Sequence, residues 1–491
     1  MNSFQPNANQ THQVLDTIGK YIVAVADFLC GYPLFFLLIG GGLYLFLSSG
    51  LVSLRRLPAA LKELRTKNDS RNGQISSVQA LASVVAATVG LGNIAGVAIA
   101  LVMGGPGAIF WMWVSALVGM ATKYHEGVLA IMYKGKDDRG NPQGGPMHII
   151  THGLGPKWTP LAKFFAIAGM FGTLCIMNAN QLTEAFMTTF STPEDVASSG
   201  FLSSVGSVIG LENAATYKLL FGCAIAAVVA VVILGGIRRI ATVASVMVPF
   251  MVGVYFVMVL YIILTRLGDV PAVFQRIFAE AFNFRAGIGA LAGIAIIGAR
   301  RAALVNDAGI GTASIMHGAS RNNRPVREGL IAMLGPGIDS GFVCTLTALA
   351  ILLCVPEVHE TQGVQGLALA MTAFSRGIPY GEYLLMFIVV CFAMSSMFSY
   401  SFYGSTCASY LFGTRKGRWY VYAFILSLIV FAVVPLEAAV GMCDLFYALM
   451  AIPTMIAVIA LSGRVRRATC EYFSKAEETS GNNTTNQTNP N

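Results

Sequence analysis

Two glycine-rich apolar segments carry residues that suit ligand binding inside a membrane. The first reads A-T-V-G-L-G-N-I-A-G over 87–96, and the second reads G-A-R-R-A-A-L-V-N-D-A-G-I-G-T over 298–312. A helix interrupted there presents unpaired carbonyls at the end of its first half and unpaired N–H groups at the start of its second. The N–H groups suit a carboxylate and the carbonyls suit a cation. Together the segments predict a site for a zwitterionic amino acid and Na⁺.

Glycines and hydroxyl side chains supply candidate ligands for this site. Gly90 and Gly92 let a substrate approach the backbone closely, because glycine has no side chain. Carbonyls near Thr88 and Gly90 begin a predicted sodium site, which the hydroxyls of Ser395 and Ser396 complete, since hard cations prefer oxygen ligands. Another interpretation remains open, because small residues at these spacings also promote the packing of membrane helices.

Charged residues at membrane depth are rare, and they mark functional positions or internal ion pairs. Arg300, Arg301 and Asp307 lie in the second glycine-rich segment. Either Arg301 and Asp307 contact the ligand, or they neutralise each other as a structural pair. Lys123 and Glu126 are three residues apart, a spacing that favours an intrahelical ion pair. We treat these five charges as structural or coupling residues.

Motifs for transition metals and for hydrolytic catalysis are incomplete. His148 and His152 have the i,i+4 spacing of a metal-binding pair, but a third ligand is missing, so we expect a solvated helix face. His125 and Glu126 begin an H-E-x-x-H motif, but Leu129 stands in place of its second histidine. We therefore expect Na⁺ alone as a metal, no cofactor and no enzymatic activity.

Composition places these motifs in a membrane protein. The chain has 491 residues, of which 55% are hydrophobic and only 11% are charged, against about 25% charged in a typical soluble domain. A soluble multidomain enzyme, a disordered chain and a secreted disulfide scaffold are excluded. The net charge of +8 would indicate nucleic-acid binding in a soluble protein. In a membrane protein its distribution matters more, and we expect the lipid bilayer and no nucleic acid as a partner.

Apolar runs long enough to cross a bilayer, about 20 residues each, occur eleven times. They cover roughly 31–53, 78–103, 107–133, 161–190, 217–235, 241–266, 286–319, 326–354, 382–411, 418–435 and 441–462. Residues 14–30 form a weaker amphipathic run that predicts an interfacial helix. The sequence thus predicts an all-α integral membrane protein with about 11 transmembrane helices, of which spans 2 and 7 are broken.

Basic residues alternate between the two sides of these spans. Twenty-two Lys and Arg residues fall in the loops of one side and six in those of the other, so the positive-inside rule places the N-terminus outside and the C-terminus in the cytoplasm. Spans 2–6 and 7–11 then run in opposite directions, as an inverted repeat requires.

The predicted organisation is one transmembrane domain over 31–462. Its first repeat covers 78–266 and its second covers 286–462. An interfacial helix and an extracellular or periplasmic start over 1–30 precede it. A polar, disordered cytoplasmic tail over 463–491 follows it.

Several longer blocks match one known family of membrane proteins. They are A-A-T-V-G-L-G-N-I-A-G-V-A (86–98), G-G-P-G-A-I-F-W-M-W (104–113), I-L-G-G-I-R-R-I-A (233–241), N-D-A-G-I-G-T-A-S-I-M-H-G-A (306–319) and L-M-A-I-P (449–453). These blocks resemble the alanine or glycine:cation symporter family, also called the sodium:alanine symporter family, over about residues 30–465. The resemblance implies a leucine-transporter-type fold with a 5+5 inverted repeat. It also implies uptake of a small neutral amino acid by Na⁺-coupled, or sometimes H⁺-coupled, symport across a bacterial plasma (inner) membrane.

The resemblance extends the predicted substrate site. By this comparison the substrate contacts Gly90, Leu91, Gly92, Asn93, Asn178, Leu304, Asn306 and Tyr400. The chain departs from the family pattern where Asn178 replaces the usual Gln and Tyr400 replaces the usual Trp. Leu304 stands where the family has Phe, and Asp307 replaces Glu. The shorter side chains at 178 and 400 predict a roomier pocket, so the exact amino acid stays open.

The composition of span 6 indicates whether the coupling ion is Na⁺ or H⁺. Related folds that dispense with sodium often place a Lys in the equivalent span, and residues 241–265 contain no charged side chain. We therefore expect secondary active transport of a small neutral amino acid with Na⁺. The alternatives are a proton-coupled symporter, a passive channel or an intramembrane enzyme. Selectivity rings or repeated pore loops, which are typical of channels, are not visible in the sequence.

Overall fold

The computed structural model describes residues 28–29, 32–65, 74–191, 193–282, 288–357, 366–434 and 436–487. Almost all of these residues are helical. The predicted interfacial helix at 14–30 falls almost entirely outside the described residues.

Helices dominate the first half of the chain. They are α1 (Tyr32–Phe35), α2 (Gly41–Ser48), α3 (Val52–Arg55), α4 (Leu57–Arg65), α5 (Ser77–Thr88), α6 (Val97–Gly104), α7 (Gly107–Met132), α8 (Pro146–His148), α9 (Thr159–Gly172), α10 (Ile176–Phe190), α11 (Pro193–Ser198), α12 (Gly200–Ile209), α13 (Asn213–Ile233) and α14 (Gly236–Thr265). The π-helical turns are Phe36–Gly40, Gly92–Gly96 and Ile149–Leu154, and the 3₁₀ turns are Pro156–Trp158 and Leu267–Asp269. Two short strands, β1 (Gly135–Lys136) and β2 (Pro142–Gln143), pair antiparallel with Gly135 opposite Gln143.

The second half continues in the same way. Its helices are α15 (Val270–Ala281), α16 (Ile288–Val305), α17 (Thr312–Gly318), α18 (Pro325–Ala332), α19 (Leu334–Pro336), α20 (Cys344–Cys354), α21 (Leu367–Gly377), α22 (Gly381–Gly417), α23 (Trp419–Val433), α24 (Leu436–Ala460) and α25 (Ser462–Gln487). A π-helical turn at Gly337–Val343 joins α19 to α20.

Within the described residues, six helical segments are long and apolar enough to cross a membrane. They are Pro156–Phe190, Asn213–Ile233, Gly236–Thr265, Pro325–Cys354, Gly381–Gly417 and Ala439–Ala460. A bent pair, Ser77–Thr88 with Gly92–Gly104, raises the number to seven if it forms one span. This all-α membrane architecture is the one that the sequence predicts, while the count of eleven spans and the 5+5 repeat remain predictions.

Helix α7 lies at the centre of the packing around the site. It packs along α16, α17 and α18, while α22 packs against α5, α9 and α10. Glycines let α7 and α18 approach closely: a Cβ on Gly127 would lie 2.7 Å from the Ala332 Cβ, and one on Gly329 would lie 2.8 Å from the Tyr124 carbonyl oxygen. Small residues permit such contacts between membrane helices, and they fix α7 beside both interrupted segments.

The C-terminal segment differs from the disordered tail predicted over 463–491. Helix α25 runs from Ser462 to Gln487, and the last four residues lie outside the described part. Its Tyr472 hydroxyl donates a hydrogen bond to Glu63 Oε1 at 3.0 Å. The Arg56 guanidinium lies 3.7 Å from the Phe473 ring centroid. These contacts to the segment before α5 hold the start of the tail in a helix, which its polar composition did not indicate.

Candidate functional site

The first predicted interruption lies between α5 and α6. Helix α5 ends at Thr88, and Val89 adopts an extended conformation with a ψ of 91°. The chain resumes as the π-helical turn Gly92–Gly96, and the two helical segments meet with a bend of 56°. A Cβ on Gly90 would lie 2.8 Å from the Ser396 Oγ, so the close approach of α22 requires glycine at the break.

The second interruption separates α16 from α17. Helix α16 ends at Val305 and α17 begins at Thr312, with a series of turns between them. Asp307, Gly309 and Gly311 have φ values of 52°, 88° and 96°. Glycine adopts this left-handed region freely, and Asp is one of the few other residues that tolerate it. An α-helix cannot continue through such residues, so both predicted breaks are present.

A cavity of about 180 Å³ lies between the two interruptions. It is smaller than the pockets of about 300–1,000 Å³ that bind drug-sized ligands, which fits a small solute. The predicted site residues that line it are Thr88, Gly90, Leu91, Gly92, Asn178, Arg301, Leu304, Asp307, Ser396 and Tyr400. Residues of both glycine-rich segments, 87–96 and 298–312, thus line one cavity.

Ser395 and Ser396 of α22 face the last turn of α5. The Ser395 Oγ donates to the Ala86 carbonyl at 3.0 Å, and the Ser396 Oγ donates to the Ala87 carbonyl at 2.9 Å. Carbonyls in the last turn of a helix lack N–H partners from a following turn. A Na⁺ ion that replaces these hydrogen bonds finds hydroxyl and carbonyl oxygens together, which is the donor set that a hard cation prefers.

Asn93 braces the first break and does not line the cavity. Its Oδ1 accepts a hydrogen bond from the Gly90 backbone N–H at 2.9 Å. Its Nδ2 donates to an Asp339 carboxylate oxygen and lies 3.5 Å from the Cys344 Sγ. Asn93 and Asp339 are both fully buried. The predicted substrate ligand is therefore placed as a link between the break and the segment that precedes α20.

Asn306 also points away from the cavity. Its Oδ1 accepts a hydrogen bond from the Ala308 backbone N–H at 3.0 Å, which shapes the second turn. Its Nδ2 faces α7, where a Cβ on Gly119 would lie 3.0 Å from it. This nitrogen is buried and has no hydrogen-bond partner among the described residues.

Asp307 joins the second break to α22. Its Oδ2 accepts hydrogen bonds from the Tyr400 hydroxyl and, at 3.3 Å, from the Thr312 Oγ1. The Tyr447 hydroxyl donates in turn to the Tyr400 hydroxyl at 2.7 Å. Asp307 is buried, so these donors stabilise a carboxylate whose other surface borders the cavity.

Arg301 has a different acidic partner from the one considered in the sequence. It interacts electrostatically with Asp444 of α24, and both side chains line the cavity. Asp307 instead receives the hydroxyl donors described above. Arg300 is half-buried beside Arg301 and does not line the cavity.

Lys123 and Glu126 belong to a larger buried cluster on α7. Lys123 interacts electrostatically with Asp307, Glu126 and Asp339. The Glu126 Oε1 accepts a hydrogen bond from the Gly309 backbone N–H at 2.7 Å. Glu126 therefore holds the second break, while Asp339 holds the first through the Asn93 amide. The predicted intrahelical pair is one part of a charge network that connects the two interruptions.

Sequence reasoning missed several polar residues at the site. The cavity is also lined by Gln181, Asp444 and Tyr447, and Asp339 supports it from behind. Two signals were available: a single acid in an otherwise apolar run marks a candidate functional position, and Gln181 follows Asn178 at the i,i+3 spacing of one helix face.

The expectation of a solvated histidine face is wrong for His148. This side chain is buried, and its Nε2 lies 3.1 Å from the Gln143 Oε1. Burial lowers the pKa of His148 to about 4, so the imidazole is neutral at physiological pH. His152 is exposed. Residues of the β1–β2 hairpin pack against His148. The spacing of residues along one helix does not predict burial by a neighbouring hairpin.

Comparison with known proteins agrees with this arrangement. A sequence model described as the sodium:alanine symporter family matches residues 15–487. The chain belongs to the sodium:alanine symporter family. It is 37% identical over 450 residues to the sodium/alanine symporter AgcS of Methanococcus maripaludis, covering 90% of this chain and 94% of that one. It is 31% identical over 464 residues to the probable sodium/glutamine symporter GlnT of Bacillus subtilis, covering 93% and 91%.

A third relative is an uncharacterized transporter of Haemophilus influenzae. It is 37% identical over 470 residues, which cover 94% of this chain and 97% of that protein. Membership of the sodium:alanine symporter family supports sodium-coupled amino-acid symport by a multi-pass membrane protein. It also confirms the prediction of a transporter rather than an enzyme.

Proposed function

We propose that this chain is a secondary active transporter that carries a small neutral amino acid and Na⁺ together into the cell by alternating access. The observation that supports it most strongly is the cavity of about 180 Å³ that both interrupted helices border. Broken helices at the centre of a membrane protein provide both N–H and C=O ends for ligands. A zwitterion with a sodium ion uses both.

The amino and carboxylate groups of the substrate bind at the two breaks. Gly90 and Gly92 border the cavity and leave the backbone open to the substrate carboxylate, since the start of a helix favours an anion. Asp307 borders the same cavity and suits the ammonium group. The names of AgcS, a sodium/alanine symporter, and GlnT, a probable sodium/glutamine symporter, support neutral amino acids as the substrate class.

Na⁺ binds where α5 ends against α22. Thr88, Gly90 and Ser396 border the substrate cavity as well as this position, so cation and substrate share the same segment of backbone. Occupation by Na⁺ fixes the break and thereby prepares the substrate site, which couples the two ligands. The membrane potential contributes about 2.3 kcal/mol per charge per 100 mV to the inward movement of Na⁺.

The proposed setting is the plasma (inner) membrane of a bacterium. Eleven spans, with an inverted repeat over 78–266 and 286–462, place the N-terminus outside and the C-terminus in the cytoplasm. The distribution of basic residues supports this orientation, because 22 of them fall on the proposed cytoplasmic side and six on the other.

Reconstitution into proteoliposomes tests the proposed function. Radiolabelled alanine, glycine, serine, asparagine and glutamine are supplied outside, with an inward Na⁺ gradient, with an inward proton gradient, or with neither. We expect accumulation of at least one amino acid that requires the Na⁺ gradient. Accumulation that follows only the proton gradient would replace Na⁺ with H⁺ as the coupling ion, and no accumulation of any amino acid would reject the proposal.

A further inference from the structure

We infer that the transported amino acid has a neutral side chain that both donates and accepts hydrogen bonds, a hydroxyl or a carboxamide, and that Gln181, Arg301 and Asp444 recognise it. The inference rests on the proposed function, because it concerns the substrate of the same cavity. It names three specificity residues that lie apart from the two breaks.

The side-chain carbonyl oxygen of Gln181 accepts no hydrogen bond from the described residues. Its Oε1 is buried and has no hydrogen-bond partner among the described residues, and the side chain lines the cavity. Leaving a buried amide oxygen unsatisfied is costly, whereas a donor from a ligand removes that cost. Gln181 also lies one turn beyond Asn178 on α10, so the same helix face presents two amides to the cavity.

Arg301 and Asp444 supply the complementary groups. They come from different helices, α16 and α24, interact electrostatically and both line the cavity. The guanidinium is a donor and the carboxylate is an acceptor. Their opposite charges offset each other, so the attraction of a charged substrate side chain to one is opposed by its repulsion from the other. A hydroxyl or carboxamide can accept from Arg301 and donate to Asp444 or to the Gln181 Oε1.

An aliphatic substrate side chain cannot form hydrogen bonds with Arg301, Asp444 or Gln181. It removes water from Arg301 and Asp444 without replacing the lost hydrogen bonds, and it leaves the Gln181 oxygen unsatisfied. A site built to hydrogen-bond a substrate rejects an analogue that lacks the group much more strongly than an apolar pocket does. Discrimination between isosteric polar and aliphatic substrates is therefore the property to measure.

The experiment compares matched substrate pairs on the full-length protein in proteoliposomes under an inward Na⁺ gradient. Serine is paired with 2-aminobutyrate, and asparagine with leucine, since each pair has similar size and differs in hydrogen bonding. We expect the wild type to favour the polar member of at least one pair by about tenfold or more in kcat/KM. Equal efficiency within both pairs, or preference for the aliphatic members, would overturn the inference.

Gln181→Met tests the assigned residue, because methionine keeps the length of the side chain and removes its amide. The polar-to-aliphatic ratio should fall by about tenfold relative to the wild type. Thr188→Val is the matched control on the same helix, because Thr188 is exposed and does not line this cavity. The polar-to-aliphatic ratio of this variant should equal that of the wild type.

If Gln181→Met takes up no amino acid, the same ratio is obtained from dissociation constants measured by titration calorimetry on purified protein in Na⁺. An unchanged ratio in this variant would remove Gln181 from the recognition site. The two proposals fail in different ways. If the wild type accumulates no amino acid, the symport function is rejected, whereas uptake without polar preference rejects only the side-chain inference.

Discussion

The Asn93 amide donates a hydrogen bond to Asp339 and accepts one from the Gly90 N–H at 2.9 Å. One side chain thus connects the first break to the π-helical turn Gly337–Val343. Neither Asn93 nor Asp339 lines the cavity. We expect both residues to affect ligand binding through the backbone at Gly90, which the Asn93 side chain contacts.

Asn93→Ala should weaken Na⁺ binding by about tenfold. The variant frees the Gly90 N–H and leaves a buried Asp339 oxygen without its amide donor, and one such loss costs about 1–3 kcal/mol. The measurement is the Na⁺ concentration for half-maximal uptake in proteoliposomes. Asp339→Asn retains an acceptor for the Asn93 amide and should have a smaller effect. A wild-type Na⁺ dependence in Asn93→Ala would contradict the bracing role.

Ser396→Ala should also raise the Na⁺ concentration needed for half-maximal uptake, by about tenfold or more. The change removes the hydroxyl oxygen that donates to the Ala87 carbonyl at the end of α5 and that is a proposed Na⁺ ligand. Hydrogen bonds to charged groups contribute about 1.5–3 kcal/mol, and we expect an effect of this order. Ser401→Ala is the matched control, because Ser401 is a buried serine of the same helix whose Oγ donates to the Phe398 carbonyl of its own helix at 2.7 Å. Equal shifts in both variants would mean that the effect is structural and that Ser396 does not bind Na⁺.

Much of the architecture could be predicted from the sequence because the bilayer imposes strong constraints. An apolar chain must satisfy its backbone within helices, and glycine clusters in two apolar runs indicated where those helices break. Thr88, Gly90 and Ser396, which the sequence predicts as site residues, border one cavity. Backbone N–H and C=O groups become available to a ligand where a helix is interrupted, and the positions of the glycines indicate these interruptions.

Side-chain directions could not be predicted in the same way. Asn93 and Asn306 belong to the same motifs as the cavity residues, yet both turn away from the cavity to satisfy backbone N–H groups. Arg301 interacts electrostatically with Asp444, 143 positions further along the chain by residue number. Such partners are determined by tertiary packing across helices, and a single sequence contains no local signal for them.

Paired cysteine variants should reveal the proposed orientation. Glu212 and Lys416 are exposed side chains that lie on opposite sides of the membrane in the eleven-span topology. We expect a membrane-impermeant maleimide to label Glu212→Cys in intact cells, and Lys416→Cys only after permeabilisation. The wild type, treated in parallel, gives the background from the native cysteines. Labelling of both variants in intact cells would contradict the proposed topology, and the opposite pattern would invert it.

Gly92→Val should abolish amino-acid uptake while the protein still inserts into the membrane. Gly92 lines the cavity, and a Cβ at this position would already lie 3.4 Å from the Val305 Cγ2. The branched side chain of valine therefore fills space that the substrate needs, next to the residue that ends α16. Radiolabelled uptake is measured together with the amount of monodisperse protein extracted from membranes.

Gly253→Val provides the matched control for this substitution. A Cβ on Gly253 of α14 would have no neighbour within 4 Å, so the same change adds the same apolar bulk without a clash. We expect wild-type uptake and expression for Gly253→Val, and wild-type expression without uptake for Gly92→Val. Normal transport by Gly92→Val would mean that the substrate does not pass between the two breaks, because valine would fill part of the cavity beside Val305.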